Sequence, residues 1–312
     1  MNKPIKVAVI QHSPVYLNLQ KSLEKSIDLV HDAAGKGAKI IVFGETWLSG
    51  YPAWLDYCGD VALWNYEPTK EVFSLLYHNS LQIPGAETDR LCEVAKERQV
   101  VICMGVNEVT KGGKASGTIF NSLIIINEKG EIANHHRKLM PTYTEKLIYG
   151  MGDGKGLESV ETVYGRINGL ICWEHWMPLA RQAMHDSDEH IHIAVWPTVH
   201  EMHQIASRQY AFEGRCFVLA AGQIMRVRDL PAAFMLPREL KETPDKMILN
   251  GGSCIIGPDG KYVSPPVFDQ ETILFQEIDL NDIYKEKMTL DVSGHYRRSD
   301  VFTLEINRQR DR

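Results

Sequence analysis

Nine short apolar runs, most of them β-branched, recur from one end of the chain to the other and constrain its fold more than any other feature. They begin at positions 5 (IKVAVIQ), 39 (KIIVFGE), 100 (VVICMGVN), 122 (SLIIIN), 167 (INGLICW), 191 (IHIAVW), 217 (FVLAAG), 253 (SCIIG) and 272 (TILFQEI). Apolar runs of this length, bounded by Gly, Pro or polar clusters, predict buried strands. Between several of them apolar residues return at helical spacing. Leu19, Leu23, Ile27, Val30 and Ala34 form one stripe, and Leu91, Val94, Ala95 and Arg98 suggest another after the Pro84-Gly85 breaker. Alternation of the two patterns predicts an α/β protein.

The second half partly echoes the first. NSLIIINEKGEI, from 121, resembles GGSCIIGPDGKYV, from 251, and each reads as two strands joined by a tight turn at Gly130 or Gly260. KIIVFGETW and HIHIAVWPT are both buried strands that run into a Trp-bearing loop. No low-complexity tract, Pro-rich linker or long charge run separates the halves, so one domain over 1–312, built of two similar layers, is expected. An aromatic-rich insertion at about 50–80 carries Tyr51, Trp54, Tyr57, Trp64, Tyr66, Phe73 and Tyr77. It predicts a helix and loop that cover the core or a subunit contact, or alternatively a pocket wall.

With 44% hydrophobic and 24% charged residues in 312, the chain can bury a large core. A formal net charge of −6 gives no electrostatic reason to expect nucleic acid or an anionic membrane as partner, which leaves a small molecule. The first apolar run breaks at Gln11 and His12, too early for a signal-peptide core, and no other stretch approaches membrane-spanning length, so a cytoplasmic location is expected. The six cysteines (Cys58, Cys92, Cys103, Cys172, Cys216, Cys254) are scattered with no CxxC pair, which predicts free thiols.

Three residues stand where chemistry is done. Cys172 follows the run Asn168-Gly169-Leu170-Ile171 and precedes a helical pattern that starts at Pro178. A thiol at a strand-to-helix turn, close to a helix N-terminus, has its thiolate favoured, although a buried cysteine is more often a packing residue. Glu45 ends an apolar strand, where desolvation would raise its carboxyl towards the range of a general base; a solvated loop carboxylate is the alternative. Lys138 closes the basic cluster His135-His136-Arg137-Lys138, ordinarily a solvated edge; turned inward, its ammonium would attract a nearby thiolate by roughly 4 kcal/mol at about 4 Å. His190 and His192 share one strand face and His200 and His203 one helix face, but no HExxH or Cys/His zinc pattern appears, so no metal is expected. A G-x-S-x-G elbow, a Walker loop and a dinucleotide-binding G-x-G-x-x-G are absent as well, which leaves thiol chemistry.

Taken in order, FGETWLSGYP around Glu45, HRKLMPTYTEKLIYGMGDG around Lys138 and GLICWEHWMPLAR around Cys172 resemble the three motifs of the nitrilase superfamily of carbon–nitrogen hydrolases. The resemblance runs nearly the full length, from AVIQHSP through INEKGEI and WPT to GHYRRSDVFTLEIN. It implies a four-layer αββα sandwich, usually paired into a homodimer or larger homo-oligomer, and a triad with Glu45 as general base, Lys138 as cationic stabiliser and Cys172 as nucleophile. Glu145 falls where the family has a second glutamate that positions substrate or lysine. CWEHWMPLARQAM and GHYRRSDVF resemble the true nitrilase branch more than its amidases, with Ser299 where nitrilases often carry proline and only a short C-terminal extension, so a dimer is implied and extended spirals are not. The resemblance implies hydrolysis of a small-molecule nitrile to acid and ammonia through a thioimidate, without a cofactor. An amidase or a cyanide-hydrolysing enzyme with the same triad, and a non-catalytic binding protein, are the alternatives. Trp47, Tyr51, Trp54, Trp173, Trp196 and His200 are candidates to line a pocket for aryl or arylaliphatic groups.

Overall fold

In the computed structural model, which describes residues 4–310, the apolar runs form two stacked sheets. The first contains β1 (Ile5–Gln11), β2 (Ile40–Phe43), β3 (Val101–Val109), β4 (Ile119–Ile126) and β5 (Ile132–Arg137). The second contains β6 (Val160–Thr162), β7 (Gly165–Ile171), β8 (Ile191–Val195), β9 (Phe217–Ala221), β10 (Ile224–Arg226), β11 (Met247–Ile256) and β12 (Tyr262–Phe268), after which β13 (Thr272–Ile278) returns to the first. The strand orders are β13-β1-β2-β3-β4-β5 and β10-β11-β9-β8-β7-β6, with β12 also on β11. The helices are α1 (Leu19–Gly35), α2 (Trp54–Tyr57), α3 (Glu67–His78), α4 (Ala86–Arg98), α5 (Pro178–His185), α6 (Glu201–Gly214), α7 (Arg238–Lys241) and α8 (Asn281–Lys287).

Alternation along the strands builds the layers. Val7, Val9, Val42, Val101 and Leu123 face inward and meet Ile167, Ile171, Ile193, Val195 and Leu219 of the other sheet. Their neighbours Ala8, Ile10, Ile41, Phe43 and Ile102 face outward, onto Leu23, Val30 and Ala33 of α1 and Leu91, Val94 and Ala95 of α4. On the far side, Ala180, Ala183 and Met184 of α5 and Tyr210 and Ala211 of α6 cover the second sheet. Strands buried on both faces have to be apolar at every position, which is why they read as continuous runs. The result is the αββα sandwich expected from the resemblance.

The internal echo has a structural counterpart. β1, β2 and β3 run parallel, as do β7, β8 and β9, and each trio is followed by an antiparallel hairpin, β4–β5 or β11–β12. The two turns close with matching bonds. Asn127 N–H donates to Glu131 O at 2.9 Å and Gly257 N–H to Lys261 O at 2.8 Å, with Gly130 and Gly260 at φ of 79° and 76°. Such left-handed positions favour glycine because it carries no Cβ.

The aromatic segment folds into α2, α3 and loops. Tyr51, Trp54, Val72 and Leu76 pack with Tyr149, Met225, Phe234 and Leu249 in a third cluster over one end of the sandwich. Two short strands, β6 and β10, had no sequence signal, being three residues each. All six cysteines are free thiols. No helix among the described residues is long and apolar enough to cross a membrane.

Candidate active site

The parallel strands β2 and β7 both deliver a side chain to the same end of the sandwich. Glu45 lies two residues beyond β2, in a turn that includes Thr46 at φ of 47°, rather than at the strand's last position. The amide of Gln223 donates to its backbone carbonyl. The turn rests directly on β3 at Gly105, where a Cβ would stand 2.2 Å from Gly44 O and 2.6 Å from Thr46 N. Backbone cannot yield to such contacts, so Gly105→Ala should displace Glu45. A loss of kcat of about a hundredfold, with the protein still folded by circular dichroism, is the expected result, since misplacement of a catalytic group by about 1 Å costs that much; unchanged kcat would show that the turn's seat is irrelevant.

Alternation also sorts the basic cluster. His135 and Arg137 point to Glu108, at 2.7 and 3.0 Å, and these bonds hold its carboxyl down at about 2 against the opposing effect of burial. His136 and Lys138 point the other way, into the site. The cluster is therefore no solvated edge: Lys138 is 1% exposed. Its Nζ donates to Glu45 Oε1 at 2.8 Å and to Glu145 Oε1 and Oε2 at 2.9 and 2.7 Å. Burial opposes the ammonium's charge, but Cys172, Glu45 and Glu145 together outweigh it and raise its pKa well above the usual value. Glu145 is held in turn by Tyr51 OH and Thr142 N–H, both at 2.9 Å.

Cys172 opens a short 3₁₀ turn, Cys172–Trp176, between β7 and α5. Its φ of 53° is left-handed, a strained position for a side-chain-bearing residue. Glu174 fixes the turn: its carboxylate accepts from Ile171 N–H and Leu139 N–H, each at 2.7 Å, and lies 2.9 Å from His136 Nε2. One buried side chain thus ties the turn of the second sheet to the residue next to Lys138 in the first. The thiol itself does not sit at the N-terminus of α5, which starts six residues later at Pro178. Burial, then the charges of Glu45 and Glu145, push its pKa well above the ordinary value, against Lys138 and the Trp173 N–H. The resting group is the thiol, not the thiolate that a helix terminus would have favoured.

Glu45 is fully buried, and its second oxygen, Oε2, has no hydrogen-bond partner among the described residues. Burial, reinforced by the charge of Glu145, raises its pKa to about 7, with Lys138 and the Asn121 amide (2.7 Å from Oε1) pulling the other way. A carboxyl of that kind can take a proton near neutral pH, which is what a thiol held above its usual range needs in order to react.

A cavity of about 320 Å³ opens beside these groups, lined by Glu145, Cys172, Tyr51, Tyr57, Trp173 and His200 among others. Tyr51, Trp173 and His200 are thus on its wall. Trp54 instead lines a separate apolar cavity with Phe73 and Leu147, because α2 turns its indole away from the thiol. Trp196 lies beneath the site, stacked between His175 and His203 at 4.6 and 4.4 Å. Trp47 is buried against Phe43 and donates to His12 O. Asn121, Glu174, Gln223 and Gly105 were not singled out in the sequence. A polar residue opening the apolar run NSLIIIN and the acid inside CWEH were the available signals for the first two. Among the described residues, no three His, Cys, Asp or Glu side chains are grouped so as to hold a metal ion.

The class these features define is that of hydrolases acting on carbon–nitrogen bonds. Residues 6–287 match the carbon-nitrogen hydrolase family, to which the chain belongs. Within it the chain falls in the nitrilase branch. It is 39% identical over 306 residues to Nitrilase 2 of an unknown prokaryotic organism, covering 97% of this chain and 93% of that protein. To the aliphatic nitrilase of Sinorhizobium fredii (strain HH103) it is 35% identical over 306 residues, 97% of this chain and 96% of the relative. The structure of Saccharomyces cerevisiae Nit3, a member of branch 10 of the nitrilase superfamily, superposes with a TM-score of 0.69 at 18% identity, covering 96% of this chain and 98% of that one, a likeness of fold.

Proposed function

We propose that the protein hydrolyses an organic nitrile to the carboxylic acid and ammonia through a covalent intermediate on Cys172. The observation that carries this reading is an ammonium clamped between two buried carboxylates, one of them with a free oxygen, beside the cavity into which the thiol opens. Glu45 takes the thiol proton as sulfur adds to the nitrile carbon. One carbon–nitrogen π bond breaks, the nitrogen gains the proton, and a thioimidate forms. Lys138 and the Trp173 N–H stabilise the negative charge that grows during addition. Glu45 then activates water; the tetrahedral adduct expels ammonia to leave a thioester, and a second water releases the acid and restores the thiol. If the carbon–sulfur bond breaks before ammonia leaves, an amide is the product.

Tyr51, Tyr57, Trp173, Ile248 and Leu249 give the cavity an aromatic and aliphatic wall that suits a small aryl or arylaliphatic nitrile. Leu179, Met202, Ile205 and Phe212, exposed on α5 and α6, support pairing into a homodimer or larger homo-oligomer. Ammonia release from a panel of aromatic, arylacetic and aliphatic nitriles, each beside its matched amide and with cyanide included, tests the reading. Nitriles should exceed their amides; the reverse order makes the protein an amidase, and turnover of cyanide alone a cyanide hydrolase.

The protonation of Glu45 sets a pH limb. As a base it works ionised, so with its pKa raised to about 7, kcat/KM should rise about tenfold per pH unit below that point and level above it. A profile flat from about pH 5 to 8 would remove Glu45 from this role.

A further inference from the structure

Beneath the turn of Cys172 runs a chain of buried polar groups that the reaction above does not use. His175 Nδ1 lies 2.7 Å from the carbonyl oxygen of Cys172, and His175 Nε2 lies 3.0 Å from His192 Nε2. His192 Nδ1 lies 2.9 Å from Glu189 Oε2. Tyr210 OH donates to the other oxygen of Glu189, and His185 Nδ1 approaches that oxygen to 3.5 Å. Cys216, Glu213 and His203 also act on this cluster, the last on His175 from across Trp196. The rings are locked: His192 stacks on Tyr210 with centroids 3.7 Å apart and His175 on Trp196 at 4.6 Å.

Both ends of this chain are acceptors, a carbonyl and a carboxylate. Three hydrogen bonds linked by two imidazoles need three protons, one more than two neutral imidazoles carry. The chain therefore holds an extra proton, balanced by the charge of Glu189. Burial drives the His175 imidazole well below its usual range, and Glu189 is held at about 2 by His192 and His185 although burial opposes its charge.

The Cys172 carbonyl and the Trp173 N–H are two ends of one peptide group. A carbonyl that accepts a strong hydrogen bond makes the N–H across the peptide a better donor. That N–H faces the sulfur of Cys172, where it favours the thiolate. We propose that Glu189, His192 and His175 are positioning residues, a buried relay that holds the Cys172–Trp173 peptide in its left-handed turn and polarises the Trp173 N–H towards charge developing at the nucleophile. The catalytic part of this inference rests on the nitrile-hydrolysing reading; the effect on the thiol does not.

The test compares wild type with Glu189→Gln/His192→Phe, which leaves no unpaired buried carboxylate, and with the isosteric Glu189→Gln. Two quantities are read: steady-state ammonia release, and the rate of Cys172 alkylation by iodoacetamide against pH, followed on the Cys172 peptide by mass spectrometry. Glu45, Lys138, Glu145 and Tyr51, which face the thiol, are the same in all three proteins. In the double variant kcat should fall about tenfold with KM within about twofold, and the alkylation midpoint should move up by about one pH unit. Glu189→Gln should shift both in the same direction by about threefold and half a unit. A variant that loses melting temperature but keeps the wild-type alkylation midpoint and kcat overturns the relay. If the double variant does not fold, Glu189→Gln alone decides by the same criterion. Should wild type release no ammonia from any nitrile or amide, the functional reading falls while the alkylation profile still judges the relay.

Discussion

Cys172→Ala should abolish ammonia release from every nitrile that wild type hydrolyses, a loss of about 10⁴-fold or more, because Cys172 is the one thiol among the described residues that line the cavity. Of the hydroxyls on its wall, Tyr51 is committed to Glu145, Tyr57 to the carbonyl of Ile248 and Thr144 to Asp56. The fold should survive. Cys172 contributes one small side chain at a cavity wall, while the bonds that shape its turn belong to Glu174 and the backbone and remain intact. Alanine also inherits the same left-handed φ, so the change neither adds nor relieves much strain. Melting temperature within a few degrees of wild type and an unchanged circular dichroism spectrum are expected. Intact mass after incubation with a slowly hydrolysed nitrile should show an adduct on wild type and none on the variant. Retained hydrolysis in Cys172→Ala would end the covalent mechanism, and an adduct on the variant would place the nucleophile elsewhere.

Much of this architecture is legible in the amino-acid sequence, and the reason is the double burial of its strands. A strand covered on both faces, such as Ile40–Phe43 or Phe217–Ala221, has no polar position to disguise it. The hairpin turns were legible because Gly130 and Gly260 mark left-handed positions. β6 and β10 were not, since three residues carry no period and owe their pairing to neighbours already in place. At the site, the identities of Glu45, Lys138, Glu145 and Cys172 are visible as motifs and the upward shift of Glu45 follows from its place after an apolar strand, but the upward shift of Cys172 and the surroundings of Lys138 are not legible. Whether Lys138 faces solvent or two carboxylates depends on a single residue of register along Ile132–Arg137, which sends His135 and Arg137 to Glu108 and leaves Lys138 for the interior. Likewise a thiol six residues ahead of a helix gains little from that helix, and only the assembled burial shows that the pKa of Cys172 is raised and not lowered. The pocket was the least legible part. Trp54 and Trp196 are apolar wherever they point, and tertiary packing sent one to a neighbouring cavity and the other under the catalytic turn.

Glu45→Gln separates proton transfer from charge and shape. The amide oxygen can still accept from Lys138 and Asn121, which reach Oε1 at 2.8 and 2.7 Å, so the clamp on the ammonium survives through this contact and through both oxygens of Glu145. What disappears is the capacity of Oε2 to take a proton. The thiol, held above its normal range by burial, then has no partner to ionise it, and water has none to activate it. General-base loss alone costs about 10²–10⁴-fold, and serving two steps places the expected fall in kcat towards the upper end of that range. The acid limb near pH 7 should vanish with it, because the group that titrates there has been replaced by one that cannot. Removal of the carboxylate's charge also relieves its repulsion of the thiolate, so iodoacetamide alkylation of Cys172 should begin at lower pH than in wild type even as turnover collapses. That opposition, a thiol easier to ionise in an enzyme that no longer works, is the signature of a base acting during the reaction. Parallel loss of alkylation and turnover would instead mean that Glu45 only maintains the shape of the site, and turnover within about threefold of wild type would exclude it as the base.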